Sequence, residues 1–198
     1  MARVFARAAR RAKLPLRYTQ GYHPHPRIIF GPALPVGVES LAEYVDIELL
    51  DIISIETMKT RLNQELPPGI TILSGEEISL KTPAISDSLY EICYSIPSEK
   101  QSIFRKFSSE GIKRVIQDFL CQPSFPISKP RKGELKTFDI RLPVKNIIFS
   151  DSKTFELTLQ FPQAQSIRPT EIIGTILGVS ESNLQNLPIC KTSMKLKE

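Results

Sequence analysis

The 198-residue chain predicts an α+β fold made of two tandem split β-α-β units, and three observations carry that prediction. Apolar residues recur at helical spacing in some segments and alternate in others. Sixteen prolines and no tryptophan suggest strands separated by rigid turns in place of a helical bundle. From Leu89 onward the order reads strand, helix, strands, helix, strand, which is the split β-α-β pattern of ferredoxin-like domains. A composition 41 % hydrophobic and 24 % charged is that of a soluble globular protein, long enough for one ordinary domain or two small ones. No apolar run approaches the roughly 20 residues that a bilayer crossing needs, so no membrane partner is expected.

Residues 2–13 read as a helix, with Val4, Phe5, Ala8, Ala9 and Ala12 on one side, Arg3, Arg7 and Arg10 in a separate stripe, and Pro15 closing it. Arg27–Phe30 has strand character. Residues 43–50 alternate, with Tyr44, Asp46 and Glu48 on one face and Val45, Ile47 and Leu49 on the other. Between them, Gly31–Gly37 is a rigid, turn-rich connection. Ser54 caps a helix through Glu65, with Met58 and Leu62 inward; Pro67-Pro68-Gly69 ends it, and Ile70–Leu73 is a short strand. Residues 81–88 form a polar linker. A second unit follows: a strand at Leu89–Ile96, a helix through about Ser98–Leu120, strands near Phe138–Leu142 and Phe155–Phe161, a helix at Pro169–Leu177 and a strand at Ile189–Leu196. The expected domains are 1–80, a linker at 81–88, and 89–198. The first unit fits the ferredoxin-like pattern only if a strand is supplied ahead of residue 1. Without it, two strand edges stay unpaired beneath an apolar helix face.

Charge is unevenly spread. Arg3, Arg7, Arg10, Arg11, Lys13, Arg17 and Arg27 are seven cations ahead of the first acid, Glu39. The whole chain has 26 Lys+Arg against 21 Asp+Glu, so everything after Arg27 carries a net charge of −2. Like charges at helical i, i+4 spacing repel, and an external anion would relieve that. An amphipathic, acid-free, Arg-rich start also has the composition of a transit peptide, although this one is poor in serine and runs directly into the loop that follows. Cys93, Cys121 and Cys190 are odd in number and widely spaced. They form neither a disulfide framework nor a close-set thiolate cluster, and read as buried, inert thiols in a reducing compartment, the cytoplasm.

Several short elements in order carry a family resemblance: Arg3-Val-Phe-x-Arg-Ala-x-Arg-Arg-Ala12, Leu14-Pro-Leu16, Gln20-Gly-Tyr-His-Pro-His-Pro-Arg27, Phe30-Gly-Pro-Ala-Leu-Pro-Val-Gly-Val-Glu-Ser40 and Glu43-Tyr44. Together they resemble the radical-SAM-linked protein family, an uncharacterised bacterial group found beside or fused to a cobalamin-binding radical SAM protein. The close match covers residues 1–50. The resemblance implies an N-terminal strand and a Ser-His-Leu-Asp-like stretch that this chain does not show. It also implies Asn where His23 stands, whereas His25 falls on the usual histidine. It implies a radical SAM partner carrying S-adenosylmethionine, a 4Fe-4S cluster and cobalamin, none of them held by this chain.

The residues of the Tyr18–Arg27 loop point to ligand binding. Prolines after His23 and His25 favour extended backbone, so the two rings splay along the loop and do not converge on one metal ion. Pro24, Pro26, Pro32 and Pro35 stiffen the loop, which lowers the ordering cost of docking a ligand. Tyr18 and Tyr22 offer stacking faces, and Arg17 and Arg27, with the helix arginines, suit phosphates. The expected ligand site is therefore Arg3, Arg7, Arg10, Arg11, Arg17, Tyr18, Gln20, Tyr22, His25, Arg27 and Glu39, with Ser40 and Glu43 as the acidic end of the same region. The first expectation is a non-catalytic accessory module that binds RNA or another polyanionic substrate and presents it to the radical SAM partner. The second is an RNA-processing or RNA-modifying enzyme, with His25 as general acid, Tyr22 or His23 orienting, and arginines stabilising a pentacovalent phosphate. The third is a protein-docking domain.

Overall fold

The computed structural model describes residues 1–99, 101–131, 133–161, 167–184 and 186–197. In chain order the elements are helix α1 (Ala2–Arg11), strands β1 (Ile28–Phe30), β2 (Val38–Ser40) and β3 (Val45–Ile47), helices α2 (Ile55–Glu65) and α3 (Ile85–Ser88), strand β4 (Leu89–Pro97), helix α4 (Ser109–Leu120), strands β5 (Pro126–Arg131), β6 (Glu134–Asp139), β7 (Val144–Phe149) and β8 (Thr154–Gln160), helix α5 (Pro169–Leu177) and strand β9 (Ile189–Leu196). The fold is mixed α+β. Backbone contacts divide it into two units, Met1–Gly31 with Tyr44–Ser88, and Pro32–Glu43 with Leu89–Glu198.

In the first unit, the apolar stripe of α1 buries Phe5, Ala8, Ala9 and Ala12, together with Leu14, Leu16, Leu62 and Leu66. Phe5 meets Phe30 edge-on with ring centroids 5.4 Å apart. The helix stops because Lys13 turns left-handed at φ 52, which lets the N–H of Leu14 reach back to the carbonyl of Ala9 at 3.2 Å. β1 and β3 pair antiparallel in the register Ile28↔Ile47, Ile29↔Asp46 and Phe30↔Val45. Ser54 caps α2 by accepting the Thr57 N–H at 3.3 Å.

Residues 70–73, expected as a strand, join no ladder. The amide of Asn63 on α2 takes a strand partner's place, accepting the Ile72 N–H at 2.7 Å and donating to the Ile72 carbonyl at 3.1 Å. Within the segment expected to be a linker lies the short helix α3, whose Ile85 N–H is bonded by Asp46; burial pushes the Asp46 carboxyl above its ordinary range.

The second unit is built on a five-stranded sheet in the order β2-β9-β4-β8-β7. β4 lies antiparallel between β8 and β9, and β8 lies antiparallel to β7. In chain order β4, α4, β7, β8, α5 and β9 run strand, helix, strand, strand, helix, strand, with β5 and β6 between α4 and β7 and with β9 beside β4. Ile92, Ile96, Phe155, Leu157 and Leu159 from the strands pack with Ile112, Ile116, Phe119, Ile172 and Ile173 from α4 and α5. Phe155 is met by Phe149 at 4.7 Å and by Phe104 at 5.4 Å.

Four further differences from the sequence expectation have identifiable structural causes. The expected helix from Ser98 to Leu120 is two elements, a 3₁₀ turn at Ser102–Phe104 and α4. Ser98 is pinned away from it by its hydroxyl and N–H, both donating to the Lys153 carbonyl, and Ser108 provides the cap of α4. Lys100, inside that expected helix, lies outside the described residues. The strand expected near Phe138–Leu142 is β6, which ends at Asp139 and pairs with β5 in a hairpin. β5 occupies the Pro/Lys/Arg-rich segment Ser124–Lys132, of which Lys132 lies outside the described residues. β7 is hidden in the sequence by a register irregularity between Val144 and Asn146 that breaks simple alternation. Finally, the chain between β1 and β3 is more than a turn-rich connection, because β2 runs parallel to β9 in the register Glu39↔Cys190 and belongs to the second unit's sheet.

Candidate functional site

The arginine stripe of α1 stands on the face opposite Phe5, Ala8 and Ala9. Arg3, Arg7 and Arg10 are exposed, and among the described residues none of them has a carboxylate within ion-pairing distance. Arg11 departs from the stripe. Its Nε bonds Glu65 Oε2 at 2.6 Å and its Nη2 bonds the Glu65 carbonyl at 2.5 Å, tying α1 to α2. Arg17 and Arg27 share Glu48, at 3.8 and 2.9 Å, with the Glu48 side chain 17 % exposed. Three of the seven early cations are therefore partly neutralised within the unit, and of the other four, Arg3, Arg7 and Arg10 sit on α1 and Lys13 just beyond its end. Arg10 also lies over the Tyr18 ring, 6.0 Å from its centroid.

The loop after α1 is closed at its neck by residues 19 and 25. The Thr19 N–H donates to the His25 carbonyl at 2.9 Å, and the His25 N–H donates to Thr19 Oγ1 at 3.1 Å. Thr19 Oγ1 also bonds His25 Nδ1 at 3.1 Å. A bridge pairs Tyr18 with Pro26, Pro26 is buried, and the Arg27 N–H donates to the Arg17 carbonyl at 2.9 Å. Residues 20–24 are the excursion above that neck. Gly21 turns it at φ +124, a conformation that costs a residue with a Cβ regardless of the open space around it. Tyr22 at the apex is fully exposed, at 101 % of its reference surface, and Gln20 and His23 are exposed beside it. Nδ1 of His25 is occupied by Thr19 and by the His23 carbonyl at 3.4 Å, while Nε2 has no partner among the described residues.

Glu39, Ser40 and Glu43, expected as the acidic end of this region, belong to the second unit. Glu39 is exposed on β2, in the second unit. Glu43 accepts from the Ser40 hydroxyl at 2.6 Å and pairs at 2.5 Å with Lys191, a cation only 1 % exposed on β9. Next to them Tyr94 is pushed up to about 12 by burial and by the charge of Glu43. Sequence reasoning missed Thr19, Glu48 and Lys191. Glu48 was visible as a carboxylate on the polar face of residues 43–50, whereas nothing local distinguishes Thr19 or marks Lys191 as buried.

The outer face of the second unit's sheet carries Glu91, Cys93 and Ser95 on β4, opposite Gln160, Thr158 and Glu156 on β8. Glu91 is buried beneath Lys145 and Lys195; the hydrogen bond from Lys145, followed by that from Lys195, holds its carboxyl below the usual glutamate range. No aromatic side chain stands among these six positions. A groove of about 420 Å³ lies along α5, lined by Lys129, Thr170, Glu171, Gly174 and Thr175, with Lys129 and Glu171 paired at 3.0 Å. The thiols are less buried than expected: Cys121 is exposed at the end of α4, and Cys93 and Cys190 are half-buried. Among the described residues no group of three or more His, Cys, Asp or Glu could hold a metal ion. Among them, too, no helix is long and apolar enough to cross a membrane.

The chain belongs to a family described as an uncharacterised protein conserved in bacteria (DUF2344), whose model matches residues 1–169. No curated protein matches it.

Proposed function

We propose that this member of the DUF2344 family is a non-catalytic accessory module that binds RNA or a similar polyanion and presents it to a radical SAM partner. The observation that carries the reading is the α1 stripe of Arg3, Arg7 and Arg10, exposed and, among the described residues, without acidic partners, beside a loop braced by Thr19 and His25. Three like charges held on one helix face repel each other, and phosphates would turn that repulsion into attraction through counterion release. Arg11, Arg17 and Arg27 shape the surface, since each is shared with a carboxylate. The radical SAM partner, with its S-adenosylmethionine, 4Fe-4S cluster and cobalamin, rests on the family resemblance of residues 1–50. We also propose that both units are ferredoxin-like variants, a reading supported in the second by the β9-β4-β8-β7 strand order.

The alternative is catalysis by His25, favoured by an exposed imidazole whose Nδ1 is oriented and whose Nε2 has no partner among the described residues. One pair of variants separates the two. Arg7→Ala with Arg10→Ala should weaken RNA affinity and flatten its salt dependence by about 0.7 in slope for each phosphate the protein no longer neutralises. Unchanged affinity defeats the RNA reading. His25→Ala should leave an accessory module's affinity nearly intact, whereas an acid–base catalyst would lose about 10²–10⁴-fold in rate.

A further inference from the structure

We infer that the Tyr18–Arg27 loop selects single-stranded nucleic acid over duplex by stacking an unpaired base on Tyr22; this inference rests on the polyanion reading above and specifies its ligand. Cation density alone does not distinguish the two, because a duplex presents even more phosphate than a single strand. The distinction comes from Tyr22. Its ring is wholly exposed, yet it sits on a loop whose neck is closed by three Thr19–His25 hydrogen bonds and whose limb ends in buried Pro26.

A flexible loop would lose much of a stacking interaction to ordering entropy, and a braced one loses less. In a duplex the base faces are already stacked on one another, so such a ring finds a free face only on an unpaired base. Tyr18, by contrast, has one side occupied by Arg10. That ring–cation pair is of the kind single-strand binders set along a backbone. The second unit's outer sheet face has no aromatic residue among Glu91, Cys93, Ser95, Glu156, Thr158 and Gln160, so it offers no rival stacking platform there.

The test measures binding of a labelled 12-nucleotide oligouridine and of a 12-base-pair RNA duplex at low salt, for the wild type, Tyr22→Ala, Tyr22→Phe and the Arg7→Ala, Arg10→Ala double variant. Tyr22 is fully exposed, so its replacement leaves the fold undisturbed. Tyr22→Ala should weaken oligouridine binding about 5- to 150-fold and leave duplex binding unchanged, with Tyr22→Phe restoring the single-strand affinity. The double arginine variant should weaken both ligands. If the wild type binds oligouridine and Tyr22→Ala matches it, the stacking inference is overturned while the polyanion reading stands. Equal loss on both ligands overturns the strand selectivity. If the wild type binds neither ligand, the polyanion reading fails and the stacking inference fails with it.

Discussion

Among the described residues the first unit has eight buried hydrophobic side chains in its core and a two-stranded ladder, while the second has twenty-four and a five-stranded sheet. Their charges differ in the same sense. In the first unit, arginines stand in solvent or share carboxylates near the surface. In the second, Glu91 and Lys191 are drawn into the sheet and each is bonded to an opposite charge. A small core with short strands leaves conformation to local devices: the left-handed Lys13, the Asn63 clasp on Ile72, and the Thr19–His25 neck. Each of these buried charges meets a partner that is itself partly exposed, so the pairs run from the packed sheet to its solvent edge. The candidate ligand surface lies on the unit with less core, in keeping with the general placement of binding loops at the less stable end of a structure.

The comparison is broken most severely through the cores. Phe155→Ala removes a ring that touches two others in the second unit and should cost about 3–5 kcal/mol of unfolding free energy, read by urea denaturation. Leu62→Ala in the first unit should cost about 2 kcal/mol, the low end for such a change, because most of the residues packed there are only partly buried and can relax into the space. Equal costs would mean that the smaller core is packed as rigidly as the larger.

A mid-sized effect tests the buried charge. Glu43→Ala leaves Lys191 buried without its carboxylate and should destabilise by about 1–3 kcal/mol. Lys191→Met, which fills the same space without a charge, should cost less than Glu43→Ala. The reverse order in thermal melts would show that the ion pair itself, and not the unpaired cation, dominates.

The smallest effect is electrostatic and depends on pH. The Glu91 carboxyl is held below its ordinary pKa, so its contribution is fully present above about pH 4.3 and is lost as pH falls through the lower, folded-state value. In Glu91→Gln that acid-side loss of stability should shrink. The exposed Arg11–Glu65 pair of the first unit should show no comparable effect, since surface pairs contribute only about 0–1 kcal/mol. An acid titration with the same slope in Glu91→Gln and wild type would count against the Lys145–Glu91–Lys195 network as a contributor.

Local pattern is enough for whatever depends on neighbours a few residues apart. The helix of residues 2–13 with its arginine stripe, the Ser54 cap, the Pro169 start of α5 and the strands at Leu89–Ile96 and Ile189–Leu196 were legible, because periodicity, caps and prolines act within one or two turns. The loop carrying Tyr22 and His25 is exposed, and its brace is the Thr19–His25 neck, which the sequence did not mark. Which distant residues meet is set by the folded chain. Glu39 and Glu43 sit close to the arginines in sequence, yet β2 pairs with β9 about 150 residues further on, and Glu43 binds Lys191. Glu48 reaches Arg17 and Arg27, Glu65 reaches Arg11, and Thr19 holds His25, through backbone pairings and helix packing that no local pattern encodes. The physical reason is that a charge or a strand edge is satisfied by whichever complementary group the folded chain brings within about 3–4 Å, and sequence separation does not set that distance.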